Sequence, residues 1–184
     1  HKDHKRYPTI MADPPWNYAT FKNWSVMGKG VGSHYPMMSL EEIQKLPVGK
    51  IAAENAILFL WVTFPKLPWA FEVMKAWGFT YKSLGFSWIK LNKSGTHYFG
   101  LGHYTRGNCE VCLIGVKGKS LRVNRCVSSV IMAPIGQHSE KPDEVRKRIV
   151  EICGNRRRIE LFAREKVKGW DAWGNEIDSD ITLS

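Results

Sequence analysis

Residues Ala56-Ile57-Leu58-Phe59-Leu60-Trp61-Val62 form a run without one polar side chain. A strand with one wet face alternates apolar and polar residues. An unbroken apolar run is the pattern of a strand buried on both faces, as in a parallel sheet with helices on each side. Similar segments recur. Ile10 to Ala12 read as the end of a short buried strand, Val111 to Val116 as another, Phe79 to Leu91 as one or two, and Val127 to Met132 as a further one. Arg158 to Arg164 read as the last strand and its exit.

Helix signals lie between them. Ser39-Leu40-Glu41-Glu42 is a capping box opening a helix that stops near Pro47. Pro68 suits a first helical turn, with Trp69, Val73 and Trp77 at i, i+4, i+8 as a core stripe and Gly78 as the stop. After Pro142, the residues Val145, Ile149 and Ile152 mark a helix ended by Gly154. Its other face carries Arg146, Lys147 and Arg148; with Arg156, Arg157 and Arg158 these read equally as a phosphate patch or a solvated basic face. Strands alternating with amphipathic helices predict an α/β fold, a mainly parallel sheet with helices on both faces.

The 184 residues correspond to one domain, residues 1–184. No run approaches the ~20 apolar residues of a membrane span, and His1 to Arg6 are not followed by a signal-like segment. Cysteines at 109, 112, 126 and 153 make no disulfide framework, so a reducing, cytoplasmic setting is expected. Cys109 and Cys112 have metal-ligand spacing, but a tetrahedral site needs two more ligands and no second pair supplies them; no metal is expected. Gly115 to Ser120 ends like a phosphate loop, yet Leu113 stands where that loop needs its first glycine. With 27 Lys and Arg against 17 acids, the formal charge of +10 favours polyanionic partners.

The chemistry is concentrated in Asp13-Pro14-Pro15-Trp16. Asp13 falls at a strand's carboxyl edge, where open α/β sheets place ligands. The two prolines stiffen the exit and keep their carbonyls as acceptors. A carboxylate, the Pro14 carbonyl and the Trp16 indole suit an aromatic ring with an exocyclic amine: two acceptors for its hydrogens and a face for stacking. Such acceptors orient a weakly nucleophilic amine and stabilise the positive charge that grows on it. Residues 17–38, with Gly28, Gly30 and Gly32, read as a lid. Within it Tyr18, Lys22, Trp24 and Tyr35 are candidate substrate contacts. The polar loop Asn92 to Asn108 adds His103, Tyr104 and Arg106.

These blocks resemble the DPPW-class adenine-N(6) methyltransferases, the family of the eukaryotic mRNA adenine methylase catalytic subunit and of bacterial and phage DNA enzymes. Besides Asp13 to Trp16, the resemblance rests on Leu58 to Thr63, Gly102-His103-Tyr104, Leu113 to Gly118, Lys141-Pro142-Asp143-Glu144 and Glu160 to Arg164, in family order. It implies a circularly permuted Rossmann-like fold and S-adenosylmethionine as cofactor. It implies cofactor contacts from Asp13, Pro14, Glu160, Leu161, Phe162, Arg164, Lys166, Gly174, Asn175 and Glu176, with Asp13, Pro14, Pro15 and Trp16 catalytic. The loop around His103 is then a second gate, and His103 itself a substrate contact in preference to a base. Two positions depart from the family: Cys109 replaces a basic residue of the eukaryotic members, and the acidic cofactor contact upstream of the motif has only Asp3 to supply it. The implied reaction is methylation of the adenine amino nitrogen in a nucleic acid, with the base flipped out or already unpaired. DNA is the first choice of polymer and RNA the second. A silent nucleic-acid-binding subunit and a protein-glutamine methyltransferase are the rival readings. With no separate target-recognition domain in this length, a homodimer or a methyltransferase-like partner subunit is provided for.

Overall fold

The computed structural model describes residues 5–16, 37–137 and 140–184. Among the described residues, seven strands form one sheet: β1 (Tyr7–Ala12), β2 (Ala52–Val62), β3 (Thr80–Leu91), β4 (Cys109–Lys117), β5 (Val130–Pro134), β6 (Arg158–Leu161) and β7 (Asp171–Trp173). Their order is β5-β3-β4-β2-β1-β6-β7. Only β4 runs against its neighbours; the pairs β1·β2, β1·β6, β3·β5 and β6·β7 are parallel. The fold is mixed α/β with a mostly parallel sheet, consistent with a Rossmann-like methyltransferase.

The polar-free run accounts for β2 at the centre. Its side chains alternate between two cores. Leu58, Leu60 and Val62 meet Ile43 of α1 (Leu40–Lys45), Val48 of α2 (Val48–Ile51), and Val73 and Trp77 of α3 (Leu67–Ala76) and its C-cap. Ile57, Phe59 and Trp61 meet Val145, Ile149 and Cys153 of α4 (Glu144–Cys153). Helices thus cover both faces. The expected capping box is complete, with Ser39 Oγ accepting from Glu42 N and Glu42 accepting from Ser39 N. The Trp77 indole N–H donates to Ile43 O at 2.9 Å and ties α3 to α1. Gly115 of β4 lies under α3, where an added Cβ would come 2.7 Å from Met74 Sδ.

Of the one or two strands expected over Phe79–Leu91, one forms, β3, with register irregularities at Tyr81/Ser83 and Leu84/Phe86. Two expectations change. The strand expected at Val127–Met132 is Val130–Pro134, with Ser129 O just ahead of it accepting from Ser87 N at 2.7 Å and Ser128 Oγ accepting from Val130 N at 3.2 Å. Arg158–Leu161 is not the last strand: β7 follows and closes the edge.

This topology makes one edge chemical. β1 lies between β2 and β6, with Ala12 level with Leu60 and Leu161. The chain therefore turns to opposite sides at β1, a topological switch point. The segments that follow β1, β3, β5, β6 and β7, and the start of the reversed β4, all gather at that edge.

Candidate active site

Asp13 continues β1 past Ala12, on the face shared by Met11, two residues earlier. Its Oδ2 is 3.1 Å from Lys141 Nζ, while 38 % of its side chain stays exposed. Lys141 comes from the segment between β5 and α4, and its ammonium also reaches Glu110 at 3.3 and 3.4 Å. Glu110, at the start of β4, is held from the other side by Lys90 at 3.1 Å. Two carboxylates and two ammonium groups thus alternate along the edge. Trp61 and Trp88 form their floor, the Lys141 nitrogen lying 5.3 and 5.9 Å from the two rings.

The protonation states follow from this order. Burial pushes the Asp13 carboxyl above its ordinary value and the Glu110 charge adds to that, with Lys141 opposing both. Burial also works on Glu110, but Lys141 and Lys90 outweigh it and hold that carboxyl below its usual range. Burial disfavours the Lys141 ammonium, yet Asp13 and Glu110 overcome it and its pKa is raised. The four charges balance, which is how ionised groups are tolerated at low exposure.

The exit from Asp13 is tied at each step. The Pro14 carbonyl accepts from Trp16 N at 2.9 Å, and the Pro15 carbonyl accepts from Met38 N at 3.0 Å. A carbonyl oxygen has two lone pairs, so Pro14 keeps one acceptor position beside Asp13. Trp16 does not present the open stacking face expected of it. The residue is 3 % exposed, and its indole N–H donates to Trp61 O at 3.1 Å. Its place in this conformation is an anchor between the strand exit and β2.

The residues expected at the cofactor fall into three groups. On β6, Glu160 pairs with Met11 of β1 and projects towards α4, where Arg146 Nη2 donates to both its oxygens at 2.9 and 3.0 Å. Burial raises the Glu160 carboxyl and Arg146 opposes it. Leu161 is fully buried in the α1/α3 core, so its side chain is a packing group rather than a cofactor contact. Phe162 turns the chain with φ 62° and packs edge-on against Trp173 at 5.2 Å. The turn is then locked to β7: Ala163 N donates to Trp173 O at 3.0 Å, and a Cβ on Gly174 would lie 2.2 Å from Ala163 O. That junction brings Arg164, Asn175 and Glu176 to the carboxyl ends of β6 and β7, all three exposed. Lys166 is committed elsewhere, 2.8 Å from Asp180 Oδ1, while Asp180 also accepts from Ala172 N at 2.9 Å.

The β3–β4 connection rises from the strand ends that carry Lys90 and Glu110, and Lys90 N donates to Asn108 O at 2.8 Å at its base. His103, Tyr104 and Arg106 sit exposed on it, Arg106 Nη1 donating to Gly102 O at 3.4 Å. Tyr18, Lys22, Trp24, Tyr35 and Asp3 lie outside the described residues. Cys109 and Cys112 take part in opposite cores, as i and i+3 on a strand must, so they cannot grip one ion. The basic face expected of α4 is largely spoken for. Arg146 holds Glu160, and Arg148 donates to Ser128 O and Val130 O at 2.9 and 2.6 Å.

Sequence reasoning does not reach Lys90 and Glu110, and it meets Lys141 only inside a family block, without a role. Glu110 has a signal, an acid at the head of an apolar strand, obscured by the cysteines near it.

Known proteins resemble the chain along most of its length. The MT-A70 family model matches residues 7–176. The type II methyltransferase M.MunI from a Mycoplasma species is 35 % identical over 97 % of this chain and 82 % of its own length. Human METTL3, an N(6)-adenosine-methyltransferase catalytic subunit, is 28 % identical over 94 % of the chain and 28 % of its own. Human METTL4, an N(6)-adenine-specific methyltransferase, is also 28 % identical, over 94 % of the chain and 38 % of its own length. The chain thus spans most of the bacterial relative and a minor part of the eukaryotic ones, and it belongs to the MT-A70 family.

Proposed function

We propose that the chain methylates the exocyclic amino nitrogen of adenine in nucleic acid, with S-adenosylmethionine as methyl donor. The observation that carries this is Asp13, held by Lys141 at one oxygen and still in contact with water, next to a Pro14 carbonyl with a lone pair to spare. Two acceptors side by side match the two hydrogens of an amino group. The carboxylate also faces the positive charge that appears as nitrogen donates its lone pair.

The residues present fit the cofactor. The Phe162–Arg164 turn and the Gly174 junction make a cradle at the carboxyl ends of β6 and β7, closed to any side chain on Gly174. Arg164, Asn175 and Glu176 give a cation, an amide and a carboxylate there, a donor set suited to an amino-acid carboxylate, ribose hydroxyls and an ammonium. When bound, the cofactor supplies an electrophilic methyl group. Asp13 and Pro14 orient the amine, and Lys141 fixes Asp13 and opposes the burial that disfavours its charge. Trp16 holds the exit from β1 rigid. No strong base is required, since the nitrogen becomes acidic as it is alkylated and loses its proton to a weak acceptor. His103, Tyr104 and Arg106, exposed on the loop above Lys90 and Glu110, would meet the polymer.

DNA is the preferred polymer, because the similarity runs along most of a small bacterial methyltransferase but only a minor part of the eukaryotic adenosine enzymes. The test is incubation with methyl-labelled S-adenosylmethionine and DNA or RNA, followed by digestion to nucleosides. Label in N6-methyladenine from DNA is expected. Label only in RNA would reverse the polymer, and label absent from adenine would refute the function.

A further inference from the structure

The four charges of the Asp13 cluster balance, so that cluster adds nothing to the chain's surplus of cations. Other cations sit towards the opposite edge. There a groove of about 590 Å³ opens on the α4 face between β3, the end of β4 and the segment leading to β5. Its floor is apolar, formed by Ile57, Leu84 and Ile114, and its rim carries Lys82, Arg122 and Arg125. Among the described residues, no acidic side chain lines it. All three cations are exposed, and none has an ion-pair partner among the described residues. They differ in this from Arg146 and Arg148, whose guanidinium groups are taken up by Glu160 and by backbone carbonyls. Asn124, also lining the groove, spends its carbonyl oxygen on Cys126 N at 2.8 Å, which leaves its amide hydrogens as donors.

Resting on the reading of the substrate as a nucleic acid, we propose that this groove is a second contact surface for its phosphodiester backbone, remote from the target base. Ile57 lies four residues before Trp61, the residue of β2 next to the level of Asp13, or ~13 Å along the strand at ~3.3 Å per residue. A polymer engaged at the catalytic edge must cross that distance on the α4 face to reach the rim. The cations belong to two separate segments, β3 and the β4–β5 connection. Apolar floor with basic rim is the arrangement that accepts a sugar–phosphate chain without reading its bases.

The test compares wild type with Lys82→Gln/Arg122→Gln/Arg125→Gln and, separately, Arg122→Glu/Arg125→Glu. Binding of a fluorescent DNA of mixed sequence, single-stranded and duplex, is followed by anisotropy across a salt series. These side chains are exposed and form no ion pair among the described residues, so both variants should keep the wild-type melting temperature and affinity for S-adenosylmethionine. The triple variant should bind DNA ten- to a hundredfold more weakly near 0.1 M salt. Its slope of log K on log salt should fall by roughly two to three, at ~0.7–0.9 for each phosphate no longer neutralised. The reversal variant should bind more weakly still. Methylation at saturating DNA should be unchanged, because no groove residue touches the reacting atoms. Wild-type affinity and salt slope in both variants would overturn the groove, whether or not adenine is methylated. A reduced slope in the variants of an enzyme that leaves adenine unmethylated would uphold the groove and overturn the reading of the reaction instead.

Discussion

Replacing Lys141 by Gln tests the charge quartet at its hinge. The lysine is 10 % exposed and bridges Asp13 at 3.1 Å and Glu110 at 3.3 Å. Removing one member of a fully buried pair costs ~3–5 kcal/mol. Here the cost is smaller, because Asp13 keeps 38 % of its side chain in contact with water and Glu110 keeps Lys90 at 3.1 Å. A loss of about 2–3 kcal/mol at neutral pH follows from the same range. Glu110 has a depressed pKa in the fold, so its contribution is present above the unfolded pKa and lost as pH falls through the folded one. The deficit of Lys141→Gln should therefore shrink in acid, where both carboxyls are protonated. The kinetic consequence has a sign of its own. Lys141 opposes the burial that raises the Asp13 carboxyl. Without it that carboxyl protonates at higher pH, and the acid limb of the single-turnover rate moves up, each unit corresponding to ~1.4 kcal/mol. Lys141→Arg should restore much of both. Denaturant unfolding at neutral and acid pH, with a pH–rate profile, measures these effects. An unmoved acid limb together with wild-type stability would refute the coupling between Lys141 and Asp13.

Other outcomes follow from single contacts. Arg146→Met leaves the Glu160 carboxylate buried without its cation and should destabilise by about 3 kcal/mol, whereas Arg146→Met/Glu160→Gln should recover most of it in denaturant unfolding. Gly174→Ala places a methyl 2.2 Å from Ala163 O, so the β6–β7 junction must shift; calorimetry should show weakened cofactor binding in a protein that still unfolds cooperatively. Asn175→Ala should weaken S-adenosylmethionine binding by about 1–3 kcal/mol if it removes one partner of a buried polar ligand group; unchanged affinity removes Asn175 from the site.

The fold is legible in the sequence where the signal is local. The polar-free run at 56–62, the capping box at Ser39 and the Trp69/Val73/Trp77 stripe each depend on neighbours within a few residues, and each stands in the structure. The three-residue β7 escapes such reading because Asp171-Ala172-Trp173 is too short to show a period; it exists through pairing with β6. Asp13 is legible because proline chemistry marks the strand exit. Lys90, Glu110 and Lys141 lie far apart in sequence and meet only because β3, β4 and the β5–α4 segment reach one edge. The stacking expected of Trp16 does not allow for Trp61, whose carbonyl captures the indole N–H. Arg146 reads as part of a basic surface because nothing in its own helix shows that Glu160 lies beneath it.

The account turns on Asp13 as an ionised acceptor for the amine, and Asp13→Asn tests it most directly. The amide nearly preserves shape, so the protein should fold and still bind S-adenosylmethionine. It lacks the charge that faces the developing positive nitrogen and offers donors where acceptors are needed. Loss of one such charge-assisted acceptor costs on the order of 3–4 kcal/mol, or about 10²–10³ in rate. The measurement is the single-turnover rate of adenine methylation with cofactor and DNA saturating, referred to folded protein. A fall of that size with cofactor still bound is the predicted result, and a wild-type rate would contradict the mechanism.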